Sequence, residues 1–227
     1  QKLRELCTQK GIVLIFDEMW TGFRLAVGGA QQYFGVAADL ICFSKAIANG
    51  MPISVLCGKR DIMQLCDKDI FFFTTFGGEA LSLAATKATI TELRSKNVPD
   101  YLARQGKKLK EGYNAIAQEL GISYTACNGM DARTIITFNH PTENALLIKS
   151  LVQQEMIKRG ILWGGFHNMC FSHTDEDVAY TLQVYQEVLS LLKTAVDGHS
   201  VAGLLRGIPV EPVFRKVSNF NTKPKVS

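Results

Sequence analysis

Two polar residues follow strand-like apolar runs, and their chemistry is complementary. The apolar residues 41–43 lead to Lys45, and a Gly-x-Pro turn follows at residues 50–52. The apolar residues 13–16 lead to Asp17 in the same way. A lysine amine forms imines with aldehydes, and a carboxylate keeps a pyridine nitrogen protonated. These residue types indicate carbonyl chemistry that uses a protonated ring as an electron sink.

We expect the two residues to face one pocket, because ligands of open α/β sheets collect beyond the carboxyl ends of the strands. Such a pocket suits pyridoxal 5'-phosphate, with Asp17 beside the ring nitrogen and Lys45 forming the imine and moving a proton at the substrate α-carbon. Taken alone, each residue has a simpler interpretation. A strand-end aspartate is commonly a turn residue, and a lysine is commonly solvated. The prediction therefore depends on the pair.

A third feature is the turn at residues 75–78, which has the sequence Thr-Phe-Gly-Gly and precedes a helix. Glycines let backbone N–H groups approach an anion, a helix N-terminus carries partial positive charge, and the Thr75 hydroxyl adds a donor. This composition suits a phosphate group. An ordinary loop-to-helix turn has the same composition, and the helix dipole explains Glu79 without a catalytic role.

Hydrophobic periodicity predicts an α/β fold with a mainly parallel sheet for residues 1–98, and a smaller α+β domain for residues 99–227. The break at residues 97–100 contains a proline, and Asp100 is a candidate N-cap of the next helix. The predicted strands are 13–16, 40–43, 53–57, 122–124, 134–138 and 161–163, and the predicted helices are 79–95, 101–120, 144–159 and 175–196.

Composition excludes several classes of function. The net charge is +4 with dispersed basic residues, which gives no support for nucleic-acid binding. Apolar runs are strand-sized, whereas a membrane helix needs about 20 residues. The six cysteines form no CxxC pair and the four histidines have no metal-ligand spacing, so we expect a cytoplasmic protein without a metal site. A helical period starts at Leu3 without an N-cap, which predicts the C-terminal part of a longer protein.

The chain resembles the class III (fold type I) aminotransferases, and within them the glutamate-1-semialdehyde 2,1-aminomutase-like group. The resemblance covers nearly the whole chain and implies the C-terminal part of the family's pyridoxal phosphate-binding large domain, without its N-terminal portion, followed by the small domain. The segments that carry it, in order, are 16–24, 28–31, 33–36, 38–45, 50–53, 58–63, 75–80 and 172–177.

The resemblance implies a role for each candidate residue. Lys45 is the Schiff-base lysine that forms the aldimine, and Asp17 is the partner of the pyridinium nitrogen. Thr75 binds the phosphate of the cofactor in the neighbouring subunit. The expected assembly is therefore a homodimer with shared active sites, and the aromatic residues 71–73 are expected at its interface.

The chain also departs from the family pattern. The family's N-terminal half supplies a Gly-Ser-rich phosphate cradle and an aromatic residue that stacks on the ring, and neither segment is present. The aminomutases have Thr-x-Ser-Gly-Asn-Pro where residues 75–80 are Thr-Phe-Gly-Gly-Glu-Ala, and no acidic residue lies at 166–168. These departures favour transfer of an amino group from an amino donor to an oxo acceptor.

Two alternatives stay open. One is an aminomutase, which moves the amino group within a single substrate. The other is a truncated, inactive chain that serves as a dimer partner. Arg133 is a candidate for binding a substrate carboxylate, although a surface arginine would have the same sequence signature.

Overall fold

The computed structural model describes residues 1–211. The described residues form two compact units: the first contains residues 1–107, 130–132 and 168–174, and the second contains residues 108–129, 133–167 and 175–211. The domain boundary after residue 98 stays a prediction.

The helices are α1 (Lys2–Lys10), α2 (Gly29–Phe34), α3 (Arg60–Met63), α4 (Leu65–Lys68), α5 (Ala80–Ser95), α6 (Val98–Glu119), α7 (Ala145–Lys158) and α8 (Asp175–Asp197). The strands are β1 (Ile15–Asp17), β2 (Leu40–Phe43), β3 (Val55–Gly58), β4 (Thr125–Met130), β5 (Arg133–Phe138) and β6 (Phe166–Asn168).

The sheet of the first unit has the order β1-β2-β3, and the predicted α/β class is confirmed. Strands β1 and β2 are parallel, with Asp17 opposite Cys42. Strand β3 runs antiparallel to β2, with Val55 opposite Phe43. The connection between them is short and tied by the Ser44 hydroxyl, which donates to the Ile53 carbonyl at 2.8 Å. A parallel neighbour would need a crossover of about a dozen residues or more, usually a helix.

The core of the first unit lies around β2, whose Ile41 and Phe43 are buried among apolar side chains of the following turn. Helix α5 packs against this cluster through Ala85, Ile90 and Leu93. Full burial of an isoleucine or leucine side chain contributes roughly 1.5–3 kcal/mol, and these partial burials, each worth less, help to hold α5 against the turn that carries Lys45.

Helix α5 begins with a side-chain cap. The Glu79 carboxylate accepts hydrogen bonds from the backbone N–H groups of Leu81 and Ser82, each at 2.7 Å. Hydrogen bonds from Ser82 and Leu81 lower the pKa of Glu79. The cap explains why the predicted helix 79–95 starts at Ala80, and it is a structural use for Glu79.

Asp39, directly before β2, joins four segments of the first unit. Its Oδ2 accepts hydrogen bonds from the backbone N–H of Leu14 and from Arg4 of α1, both at 2.7 Å. Its Oδ1 pairs with Lys59, directly after β3, at 2.6 Å. The Asp39 backbone N–H also donates to the Leu14 carbonyl at 2.8 Å. The Leu14 N–H, then Lys59 and Arg4, hold the pKa of Asp39 well below its usual range.

In the second unit the sheet order is β4-β5-β6, and two predicted strands were wrong for the same reason. Gly121 follows α6 with φ 67°, and the next N–H, of Ile122, bonds back to the Ala117 carbonyl at 2.8 Å. Gly160 follows α7 in the same way, and the Ile161 N–H donates back to the Met156 carbonyl at 3.1 Å. Such left-handed glycine caps bond the residue after the glycine back to the helix, and residues 122–124 and 161–163 do not belong to strands.

Helix α6 begins at Val98, so the prediction that Asp100 is its N-cap was wrong. Asp100 lies in the first turn of the helix. Pro99 is tolerated there because backbone N–H groups of the first helical turn have no partner within the helix. The predicted helices 144–159 and 175–196 are confirmed as α7 and α8. Among residues 1–211, no helix is both long and apolar enough to cross a membrane.

We expect Asp39→Asn to lower the free energy of unfolding at pH 7, because the variant leaves Arg4 and Lys59 without their carboxylate. The pKa of Asp39 is lower in the folded state than in the unfolded state. Its contribution to the free energy of unfolding is therefore fully present above the unfolded pKa of about 3.9, and it is lost progressively as the pH falls below that value. Urea unfolding at pH 7 and pH 3 measures this. The difference between wild type and variant should shrink at pH 3, and the exposed control Asp61→Asn should show little difference at either pH. An equal difference at both pH values would contradict the assignment.

Candidate active site

Asp17 and Lys45 lie at the same edge of the first unit's sheet. Asp17 is the last residue of β1 and stands opposite Cys42 on β2, and Lys45 follows that strand after Ser44. Because the two strands are parallel, their carboxyl ends meet at one edge, as predicted. Both residues are exposed. The Asp17 Oδ1 accepts a hydrogen bond from the Met19 N–H at 3.0 Å, which is an ordinary turn contact and leaves the other carboxylate oxygen for a further partner.

The backbone at Lys45 is in the left-handed region, with φ 50°. A side chain other than glycine costs roughly 1–2 kcal/mol in this conformation. Neighbouring residues hold the turn in this conformation, because Ile47 is buried in the core and the Ser44 hydroxyl donates a hydrogen bond to the Ile53 carbonyl. Strain of this kind is often found where a side chain must be presented in a particular direction. Here the side chain presented is an exposed primary amine.

The Lys45 amine lies against an aromatic ring that the sequence analysis did not single out. Its Nζ is 4.8 Å from the centroid of the Trp20 ring, a cation–π contact. Trp20 belongs to the turn directly after Asp17. Its closeness in sequence to a candidate carboxylate was the signal that could have identified it as a site residue.

Glu18 anchors the connection that follows Asp17. It is 1% exposed, its Oε2 accepts from the Thr21 hydroxyl at 2.5 Å, and its Oε1 accepts from the Gln31 N–H at 3.2 Å. Gly29, with φ 74°, passes so close that a Cβ there would lie 2.6 Å from the same carboxylate. The sequence analysis did not identify this role of Glu18, which lies directly after β1.

Thr75 lies in an exposed turn before α5, and its hydroxyl makes no hydrogen bond within residues 1–211. The turn needs its glycines, because Gly78 has φ 79° and a Cβ on Gly77 would lie 2.6 Å from the Thr74 hydroxyl. Helix α5 is tied to the Lys45 segment where the Ser82 hydroxyl donates to the Pro52 carbonyl at 3.3 Å. The structure therefore brings the beginning of α5 to this segment, but it does not bond Thr75 to Lys45 or Asp17.

Exposed aromatic side chains surround Thr75. Phe71 is 92% exposed, Phe73 73% and Phe76 80%, so this segment is not part of the unit's own core. We refer to residues 70–76 as the aromatic segment.

Arg133 lies on β5 in the second unit, where its guanidinium is 5.3 Å from the centroid of the Phe166 ring. Its role toward a substrate carboxylate stays a prediction. Within the part of the chain that the structure describes, no three His, Cys, Asp or Glu side chains come together in a way that could hold a metal ion.

Known proteins match this chain over most of its length. The sequence model of the class III aminotransferases matches residues 1–174. The chain is 34% identical over 198 residues to the 3-aminobutyryl-CoA aminotransferase of Cloacimonas acidaminovorans (strain Evry), covering 85% of this chain and 47% of that protein. It is also 34% identical over 206 residues to the glutamate-1-semialdehyde 2,1-aminomutase of Alkaliphilus oremlandii (strain OhILAs), covering 85% and 48%. The chain thus spans about half the length of the curated relatives it matches.

A solved structure of a pyridoxal phosphate protein is also similar to this chain. The FumI protein of Sphingopyxis sp. MTA144, in its pyridoxal phosphate internal aldimine form, superposes with a TM-score of 0.77 at 28% identity. The match covers 86% of this chain and 46% of that one.

The strain at Lys45 can be measured by comparing Lys45→Gly with Lys45→Ala, because both variants lose the amine and differ only in backbone preference. We expect the glycine variant to be more stable by about 1 kcal/mol in urea unfolding, since glycine adopts positive φ freely. The same pair at the exposed Lys87 within α5 is the control, and there alanine should be more stable by about 1 kcal/mol. A Lys45→Ala variant as stable as Lys45→Gly would contradict a left-handed Lys45.

Proposed function

Because the chain belongs to the class III aminotransferase family, we propose that it carries the lysine-bearing part of an aminotransferase active site, which moves an amino group from an amino donor to an oxo acceptor. The observation that carries the proposal is the juxtaposition of the strained, exposed Lys45 with the Asp17 carboxylate at one sheet edge.

Pyridoxal phosphate, expected from the sequence, is confirmed as the cofactor at the level of the family. When bound, it supplies an aldehyde carbon and an electron-withdrawing ring. The residues present fit the group, since they offer a primary amine, a carboxylate and a hydroxyl in the same unit. Lys45 Nζ would hold the cofactor covalently and move a proton, and Asp17 would accept a hydrogen bond from the ring nitrogen. Thr75 would donate to the phosphate.

The aminomutase alternative has support in the relatives, because an aminotransferase and an aminomutase match the chain at the same 34% identity. The segment 166–168 has no acidic residue, which favours transfer between two substrates. Its buried polar side chain, His167, bonds to Tyr185 through Nε2 at 2.6 Å and to Thr134 through Nδ1 at 2.7 Å, so both ring nitrogens serve the core of the second unit. Formation of product from a single substrate, without donor or acceptor, would instead support the aminomutase.

The assembly we propose is a homodimer with shared active sites, in which Thr75 serves the cofactor of the partner subunit. The exposed aromatic segment supports it, because a monomer rarely leaves such a run of large apolar side chains in water.

The dimer is tested by replacing Phe71 and Phe73 together with serine and measuring sedimentation equilibrium. Burial of one such ring contributes roughly 1.5–3 kcal/mol, so dissociation of the dimer should become at least about tenfold easier. Phe34→Ser, on an exposed ring outside the segment, is the control and should leave the association unchanged. Equal association by the wild type and the double variant would argue against this interface.

The lysine's role is tested by mixing the 227-residue chain with pyridoxal phosphate, reducing with borohydride and locating the modified peptide by mass spectrometry. We expect the pyridoxyl group on Lys45, an absorbance band that Lys45→Ala abolishes, and weaker binding in Asp17→Asn.

Lys87→Ala is the matched control and should behave as the wild type. A well-folded chain without a Lys45 adduct would reject the enzymatic proposal for this chain and favour the inactive dimer partner.

A further inference from the structure

Trp20 lies over the end of the Lys45 side chain, with Nζ 4.8 Å from the ring centroid. Within residues 1–211 the amine makes no hydrogen bond or ion pair, although Asp17 lies at the same sheet edge. An ion pair between two exposed groups is worth only about 0.2–1 kcal/mol, which is similar to a cation–π contact at an exposed site. The two contacts are therefore comparable in strength, and the ring can compete with the carboxylate for the amine.

The turn that carries Trp20 is fixed on both sides. The preceding residue, Met19, donates its N–H to Asp17 Oδ1 at 3.0 Å. The following residue, Thr21, donates its hydroxyl to the buried Glu18 carboxylate, and the Gly22 N–H donates to the Glu18 carbonyl at 2.9 Å. The indole is thus placed by Asp17, the last residue of β1, and by Glu18 directly after it, and its position relative to Asp17 is set by short local contacts.

We propose that Trp20 is a positioning residue that holds the Lys45 amine on its ring and apart from the Asp17 carboxylate. This inference rests on the proposed function, in which Lys45 and Asp17 act on different atoms of one cofactor. An ion pair between them would occupy both groups at once. A cation–π contact at an exposed site is weak, so the amine is oriented but readily released.

A double-mutant cycle tests the separation without the cofactor. The reaction of Lys45 with formaldehyde and cyanoborohydride is followed by mass spectrometry in the wild type, Asp17→Asn, Trp20→Leu and the double variant, with Lys68 and Lys87 as internal standards. Trp20→Phe keeps an aromatic ring, and Tyr33→Leu removes an exposed ring elsewhere in the same unit.

With Trp20 present, Asp17→Asn should change the labelling of Lys45 little. In the Trp20→Leu background the amine should pair with Asp17, so Asp17→Asn should raise labelling about two- to fivefold, the range of an exposed ion pair. Trp20→Phe and Tyr33→Leu should both follow the wild type. An equal effect of Asp17→Asn with and without Trp20 would overturn the proposal.

The cycle separates two kinds of failure. Failure of Lys45 to react with pyridoxal phosphate in the wild type would overturn the proposed function. Independence of the two substitutions in the labelling cycle would overturn only the role of Trp20, because no cofactor is used there.

Discussion

The parallel pairing of β1 with β2 is the constraint on which the candidate site depends. A shift of one residue along β2 would turn its side chains to the opposite face and move Lys45 relative to Asp17. The register is set where the strands begin. The Asp39 carboxylate accepts a hydrogen bond from the Leu14 N–H, and the Asp39 N–H donates to the Leu14 carbonyl. The charges of Arg4 and Lys59 converge on the same carboxylate. An electrostatic cluster at one end of the sheet therefore positions the chemistry at the other.

From this register the remaining features follow locally. β2 ends in the core, and the chain must then reverse within a short connection to form the antiparallel β3. Lys45 lies in this connection with positive φ, and Ile47 and α5 pack in the core beside it. Across the edge, the chain leaving Asp17 turns tightly around Glu18, which brings Trp20 over the Lys45 amine. The positions of the amine, the carboxylate and the ring thus follow from two tight turns at neighbouring strand ends.

The sequence predicted the parts of this site that depend on local composition. Apolar runs ending in Asp17 and Lys45 identified both strand ends, because strand and turn residues differ sharply there. The contact of Trp20 with Lys45 was not predicted, since it depends on how two separate turns meet across the sheet. Strands expected at 122–124 and 161–163 failed because periodicity does not show how far a glycine cap holds the following residues. The role of Thr75 stays a prediction, because the cofactor phosphate that it is proposed to bind would belong to a second subunit.

The central claim is that Asp17 and Lys45 act on opposite parts of one pyridoxal phosphate molecule. The most direct test is nitrogen-15 NMR of ring-labelled cofactor bound to the chain, recorded for the wild type and for Asp17→Asn. We expect a protonated ring nitrogen in the wild type, under conditions where Asp17→Asn leaves it unprotonated while Lys45 still holds the cofactor. The same ring-nitrogen signal in both proteins would contradict it.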